Sequence, residues 1–259
     1  MCGRYAASSN PDDLVEEFEV DRLATTGPLE PDFNVAPTKP VPVVLVRPAR
    51  GPTADGRPAR EHPERQLRVV RWGLVPSWAK DPSGAGRMIN ARVETVAEKP
   101  AFRRAFAARR CILPADGYYE WYAPRRQPFF IRPRDGGVLA MAGLYEMWRD
   151  PTRAAEDPEA WLWTAAVLTT AAQDDLGHLH DRMPLVVGRH QRDAWLDPAA
   201  EDPRGLLDML APAAPGWLEA YPVSTAVGDV ANNGRHLVEP LPADGGTEET
   251  AETDQPTLF

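Results

Sequence analysis

The chain has 259 residues, 43% of them hydrophobic, with a formal net charge of −9; this is ample material for a real core and favours one domain over two small ones. No stretch approaches the roughly 18 uninterrupted apolar residues of a membrane span, and the N-terminus has neither the basic start nor the apolar run of a signal peptide, so a cytoplasmic protein without a membrane partner is expected. Two cysteines, Cys2 and Cys111, with no CxxC and no His/Cys cluster, speak against a structural disulfide and a zinc site, and no metal, cofactor or subunit partner is expected.

The chain opens MCGRYA. A thiol at position 2 cannot easily serve a core, because termini are usually surface elements; its distinctive property is chemical. Removal of Met1, expected when the next side chain is small, leaves an α-amine and a thiol on adjacent carbons. Asn10-Pro11-Asp12-Asp13 then reads as a helix start, with a capping side chain, Pro at the first helical position and acids in the first turn. Residues 41–46 and 66–72 read as strands flanking a long mobile hairpin loop over 47–65, and 72–92 as turns carrying two exposed-type tryptophans, Trp72 and Trp78. Helical periodicity over 93–110 is broken at Pro100. CILPADGYYEWY, PFFIRP, VLAMAGLYEMW, WLWTAAVLTT and MPLVVG read as successive strands, QRDAWL and PRGLLDML as helices, and LEAYPVST as a last strand. Many strands without a regular βαβ alternation predict an α+β fold, with a mainly antiparallel, barrel-like core and peripheral helices. One domain is expected over 1–238, followed by an acidic, disordered tail over 239–259.

Charge is unevenly spread. The tail holds six acidic residues and no basic one, whereas 87–110 holds seven basic residues against Glu94 and Glu98. A local basic face on a mildly acidic body fits a nucleic-acid partner; a solvated helix face fits the same charges equally well. Lysine is confined to Lys39, Lys80 and Lys99, which leaves few candidates for a lysine Schiff-base enzyme.

Polar residues embedded in apolar or turn-forming surroundings recur in MCGRY, INARVET (89–95), ADGYYEW (115–121) and HLHDRMP (178–184). Together with FNVAPT (33–38), WGLVPSW (72–78) and AVGDVANNG (226–234), and in this order, they resemble the SOS-response-associated peptidase (SRAP) family, the abasic site processing proteins, from Cys2 to about Val238. The resemblance implies recognition of an abasic site in single-stranded DNA and its covalent capture by the N-terminal cysteine as a thiazolidine, with peptidase activity limited to removal of Met1. Association with the nucleoid during DNA damage is expected with it, and a monomer is the default expectation. Ala79 departs from the second bulky aromatic of some relatives, and Asp229 and Ala231 vary an AVGNV-type motif.

The chemistry of these residue types agrees. An α-amine with a reference pKa of about 7.7 to 8.0 is far more available near neutrality than a lysine at about 10.4; it forms an imine with the aldehyde of a ring-opened sugar, and the neighbouring thiol closes a five-membered ring. The resemblance makes Glu120 the acid/base residue, His180 the histidine that helps open the sugar, and Asn90 a hydrogen-bonding partner at the lesion. It makes Arg4, Arg92 and Arg182 phosphate contacts and Trp78 a base-stacking wedge. Residue by residue, plainer alternatives stand beside these: a solvated strand position for Glu120, which alternation alone favours, and a sheet-bound histidine, above all for His178. Asn90 also fits an ordinary turn or cap, the arginines a surface role, and Trp78 the core. Two rivals come from other classes: an N-terminal-nucleophile cysteine hydrolase, of glutaminase or peptidase type, which also begins Met-Cys-Gly, and a single-strand-binding module in which Cys2 is incidental.

Overall fold

Successive strand residues point to opposite faces, so Val41, Val43 and Leu45 face one way and Val44 the other; in β4 (Pro40–Arg47) both sets are buried. The computed structural model describes residues 2–25, 27–48, 62–154, 156–172, 176, 179–200, 202–210 and 216–242. In it β4 pairs antiparallel with β5 (Glu64–Trp72) and with β7 (Arg110–Ala115). Next to β7 comes β10 (Leu139–Arg149), which pairs antiparallel with β11 (Trp161–Ala171). Parallel contacts Thr164↔Arg71 and Ala165↔Trp72 join β11 back to β5 and close the ring into a barrel. Gly73 extends the seam, its N–H donating to the Ala165 carbonyl at 2.8 Å. Its φ of 116° and the Ala85 carbonyl oxygen, which stands 2.5 Å from where a Cβ would lie, require glycine there.

Inside the barrel lie Val41, Val43, Leu45, Val70, Trp72, Leu113 and Met141. The outward set, including Val44, Leu67, Ile112, Ala142 and Leu168, is covered by Leu14 and Phe18 from α1 (Pro11–Glu17) and its C-cap, by α2 (Arg103–Ala108) and by Trp195 of α3 (Arg192–Leu196). Burial on both faces explains the near-continuous apolar runs of these strands. A second, antiparallel sheet has the order β13 (Leu218–Pro222), β9 (Gln127–Pro133), β8 (Gly117–Tyr122), β1 (Tyr5–Ala7) and β3 (Asp32–Val35). The chain passes from barrel to second sheet at Asp116, whose carboxylate accepts from the Ser8 N–H and the Ser9 hydroxyl at 2.7 and 2.8 Å.

The α+β, barrel-centred expectation holds, and so does the α1 start: the Asn10 side chain accepts from the Asp12 N–H at 3.0 Å. α4 (Pro203–Met209) matches the last helix expectation. Four readings need correction. Trp72 is fully buried, its Nε1 donating to the Ile89 carbonyl at 3.0 Å, so of the two tryptophans in that stretch Trp78 alone is exposed. Residues 93–102 form turns, and the helix is only α2, since Pro100 cannot supply the N–H a continuous helix needs. Within the supposed turn region, β6 (Asn90–Arg92) pairs parallel with β11. The last strand ends at Pro222, because Ser224 caps the 3-10 turn Thr225–Gly228. The loop and tail readings fall mainly on 49–61 and 243–259, outside the described residues. Among the described residues no helix is long and apolar enough to cross a membrane.

Candidate functional site

Contrary to the expectation of a surface thiol, Cys2 is fully buried and belongs to the barrel's core cluster with Tyr5 and Tyr118. The cause is β1, a three-residue strand held between two others: Tyr5 pairs with Tyr118 of β8 and with Val35 of β3, and the Tyr119 N–H donates to the Arg4 carbonyl at 3.0 Å. Asn90 of β6 donates from Nδ2 to the Cys2 carbonyl at 2.7 Å. The thiol makes a long contact of 3.9 Å to the Arg4 carbonyl. Burial pushes its pKa well up, and the Glu120 carboxylate adds to this; the positive chain terminus and the Arg4 contact oppose. The thiol is therefore neutral at physiological pH, suited to a late step and not to opening attack.

Glu120 lies on β8 two residues after Tyr118, hence on the same face, and is only 4% exposed. Burial pushes its carboxyl up to about 7, against the charge and hydrogen bond of the chain's α-amino group; Asp181 raises it further. A carboxyl that titrates near neutrality can both give and take a proton. His180, just before β12 (Arg182–Pro184), is held below its ordinary value by burial and by the same α-amino charge, with Arg182 adding and Asp181 opposing. Its Nδ1 lies 2.9 Å from the Arg182 N–H and 2.8 Å from the Asp181 carboxylate. One nitrogen cannot serve both: with its proton on Nε2 the neutral ring accepts from Arg182 at Nδ1, whereas donation to Asp181 needs a proton on Nδ1, as in the other neutral tautomer or the protonated ring. The downward shift and the 84% exposure of the Asp181 side chain favour the neutral form.

Cys2, Asn90, Glu120 and His180 thus converge on the chain start: Asn90 by a hydrogen bond, Glu120 and His180 through their interactions with its amino group. The cationic residues divide. Arg92, two residues after Asn90, is exposed, and its side chain makes no hydrogen bond or ion pair among the described residues. Arg182 is 11% exposed in its side chain; it pairs with Glu94 at 2.7 and 3.0 Å and donates to the Thr169 carbonyl at 2.5 Å. Arg4 is half-buried, its Nη1 donating to Asn34 Oδ1 at 2.6 Å and to the Val227 carbonyl at 2.7 Å. Trp78, 62% exposed, makes no hydrogen bond or ring contact with the four central residues; its loop is pinned by Trp148, whose Nε1 donates to the Ala79 carbonyl at 2.7 Å. His178 lies outside the described residues. Among the described residues no group of three His, Cys, Asp or Glu could hold a metal ion. Sequence reasoning missed Asn34, although an amide between Phe33 and Val35 in a strand is itself a signal of a buried polar partner.

The family profile described as SOS response associated peptidase (SRAP) matches residues 1–230. The chain is 36% identical over 242 residues to the abasic site processing protein YoqW of Bacillus subtilis, covering 92% of this chain and 99% of that one. It is 32% identical over 256 residues to the abasic site processing protein YedK of Escherichia coli, with 93% and 100% covered. With the abasic site processing protein HMCES of Gallus gallus it shares 31% over 240 residues, 83% and 68% of the two chains. Among solved structures, a protein from Bacteroides thetaiotaomicron superposes with a TM-score of 0.74 at 21% identity, over 93% of this chain and 100% of that one, a likeness of fold.

Proposed function

The chain belongs to the SOS response associated peptidase (SRAP) family, and from that premise we propose that it processes abasic sites in single-stranded DNA by covalent capture through Cys2. Removal of Met1, by the protein itself, frees the Cys2 amine. The amine adds to the C1′ aldehyde of the ring-opened deoxyribose, and Glu120 protonates the hydroxyl that leaves as water, giving an imine. The Cys2 sulfur then adds to the imine carbon; its proton passes to the nitrogen, and a thiazolidine closes. No atom is lost in the second step, and ring closure makes the product durable. His180, neutral with one ring nitrogen able to carry a proton, assists ring opening of the sugar. Asn90 holds the Cys2 carbonyl, while Arg4, Arg92 and Arg182 contact phosphates and Trp78 stacks on a base beside the lesion.

The observation that carries this reading is a buried carboxyl whose pKa burial raises to about 7, close enough to Cys2 that its charge raises the thiol in turn. Intact mass spectrometry tests it: protein mixed with single-stranded DNA bearing one abasic site should lose Met1 and gain the oligonucleotide mass less one water, in an adduct that survives denaturation without borohydride. Cys2→Ala should abolish the durable product while Cys111→Ala retains it. A wild-type protein that leaves the oligonucleotide unmodified refutes the proposal.

A further inference from the structure

Two motifs, at 33–38 and 226–234, have no part in the chemistry above, and both converge on Arg4. Asn34 of β3 is fully buried. Its Oδ1 accepts from Arg4 Nη1 at 2.6 Å, and its Nδ2 donates to the carbonyls of Asp229 and Asn232, both at 2.9 Å. The amide's two hydrogens and its oxygen are all engaged. The same Arg4 Nη1 donates to the Val227 carbonyl at 2.7 Å. Asn232 closes the segment on itself, its Nδ2 donating to the Ala226 carbonyl at 2.8 Å. Asn233 then binds it to the approach of β3, accepting from the Phe33 N–H at 2.8 Å and donating to the Pro31 carbonyl at 3.1 Å.

A surface arginine that only meets phosphate needs none of this. An arginine side chain is rich in rotamer freedom, which two acceptors on one amino group suppress. The main chain of Arg4 is held as well, its carbonyl accepting from the Tyr119 N–H at 3.0 Å and lying 3.9 Å from the Cys2 sulfur. Arg4 is therefore gripped at backbone and side chain, two residues from the reactive cysteine. Nη2 makes no hydrogen bond among the described residues, so the grip leaves part of the guanidinium available.

We propose that Asn34 is a positioning residue for capture: together with the Val227 carbonyl it clamps Arg4, and the clamped Arg4 holds Cys2 in place for ring closure. This rests on the reading that Cys2 captures abasic DNA. Misplacing a reacting group by an ångström lowers a rate about a hundredfold, so loosening the clamp should show in the rate of capture.

The test is time-resolved capture of a single-stranded oligonucleotide with one abasic site by the full chain, recording separately the rate constant at saturating DNA, the half-saturating concentration and the final trapped fraction. Asn34→Leu and Arg4→Met should each lower the rate constant about ten- to a hundredfold, and the double variant should be no slower than the slower single, because both remove the same clamp. Arg4→Lys should also be slow, since an ammonium does not reproduce the planar fork. Multiplying effects in the double variant overturn the inference, as does an Asn34→Leu protein that traps a smaller fraction at an unchanged rate constant, the mark of mere destabilisation. Should Asn34→Leu fail to fold, Arg4→Lys at its half-buried position decides: a wild-type rate there overturns the clamp. A wild type that forms no adduct overturns the capture reading, and the clamp with it, so the two failures are read in different arms.

Discussion

Replacing Glu120 by Gln keeps the shape of the side chain and removes its titration. The folded protein holds this 4%-exposed carboxyl protonated to about pH 7 instead of its ordinary 4.5. Below pH 4.5 folded and unfolded chains are both neutral here and nothing is lost. As pH rises from 4.5 to 7 the unfolded chain releases this proton while the folded one keeps it, so stability falls across that window and levels off above it. The fall amounts to about 3 kcal/mol, from about 1.4 kcal/mol per pH unit. Glu120→Gln lacks this dependence. Hydrogen bonds altered by the amide shift its stability by a constant, so the readout is the difference between the two proteins as a function of pH. Thermal unfolding from pH 4.5 to 8 should show the Gln variant gaining on the wild type by about 3 kcal/mol, or about 6 to 12 °C in Tm at 2 to 4 °C per kcal/mol. Capture by the same variant should slow about a hundredfold or more, the usual contribution of a positioned general acid. A difference that is flat in pH, or one that shrinks as pH rises, refutes a buried Glu120 with a raised pKa and with it the assignment of the proton shuttle.

Among the described residues the buried Tyr5 hydroxyl has no hydrogen-bond partner, so Tyr5→Phe should leave stability unchanged or raise it by about 1 kcal/mol in urea unfolding; a loss larger than that shows a partner was removed. Trp72→Ala should cost about 3 to 5 kcal/mol as a fully buried barrel residue. Trp78→Ala, at 62% exposure, should change stability by no more than about 0.5 kcal/mol yet weaken DNA binding by about 1 to 3 kcal/mol in a titration with single-stranded oligonucleotide; unchanged affinity removes the wedge. Arg92→Met should leave Tm nearly unchanged and lower the slope of log affinity against log salt by about 0.7. Arg182→Met should lower that slope similarly and also cost about 1 to 3 kcal/mol of stability by abandoning the Thr169 carbonyl and Glu94; an unaltered salt slope in either variant excludes that arginine from phosphate contact.

Read alone, the sequence determined what depends on near neighbours in the chain. The Asn10-Pro11 helix start, the paired strands on either side of 49–61, the late helices and the α+β class follow from capping chemistry, period-two alternation and turn residues, all local properties. The identities of Cys2, Asn90, Glu120 and His180 were legible as motifs in a characteristic order. The tertiary structure decided where each lies and what it touches. Asn90 reaches the Cys2 carbonyl across 88 residues of sequence, and Arg4 meets Asn34 and Val227 across 30 and 223. Cys2 is buried because β1 is flanked by β3 and β8, and Trp72 because its strand closes the barrel against β11. Burial sets the Glu120 pKa, and burial is a property of what packs around a side chain. Alternation could place Glu120 on a face of its strand; only the packed sheet made that face the interior.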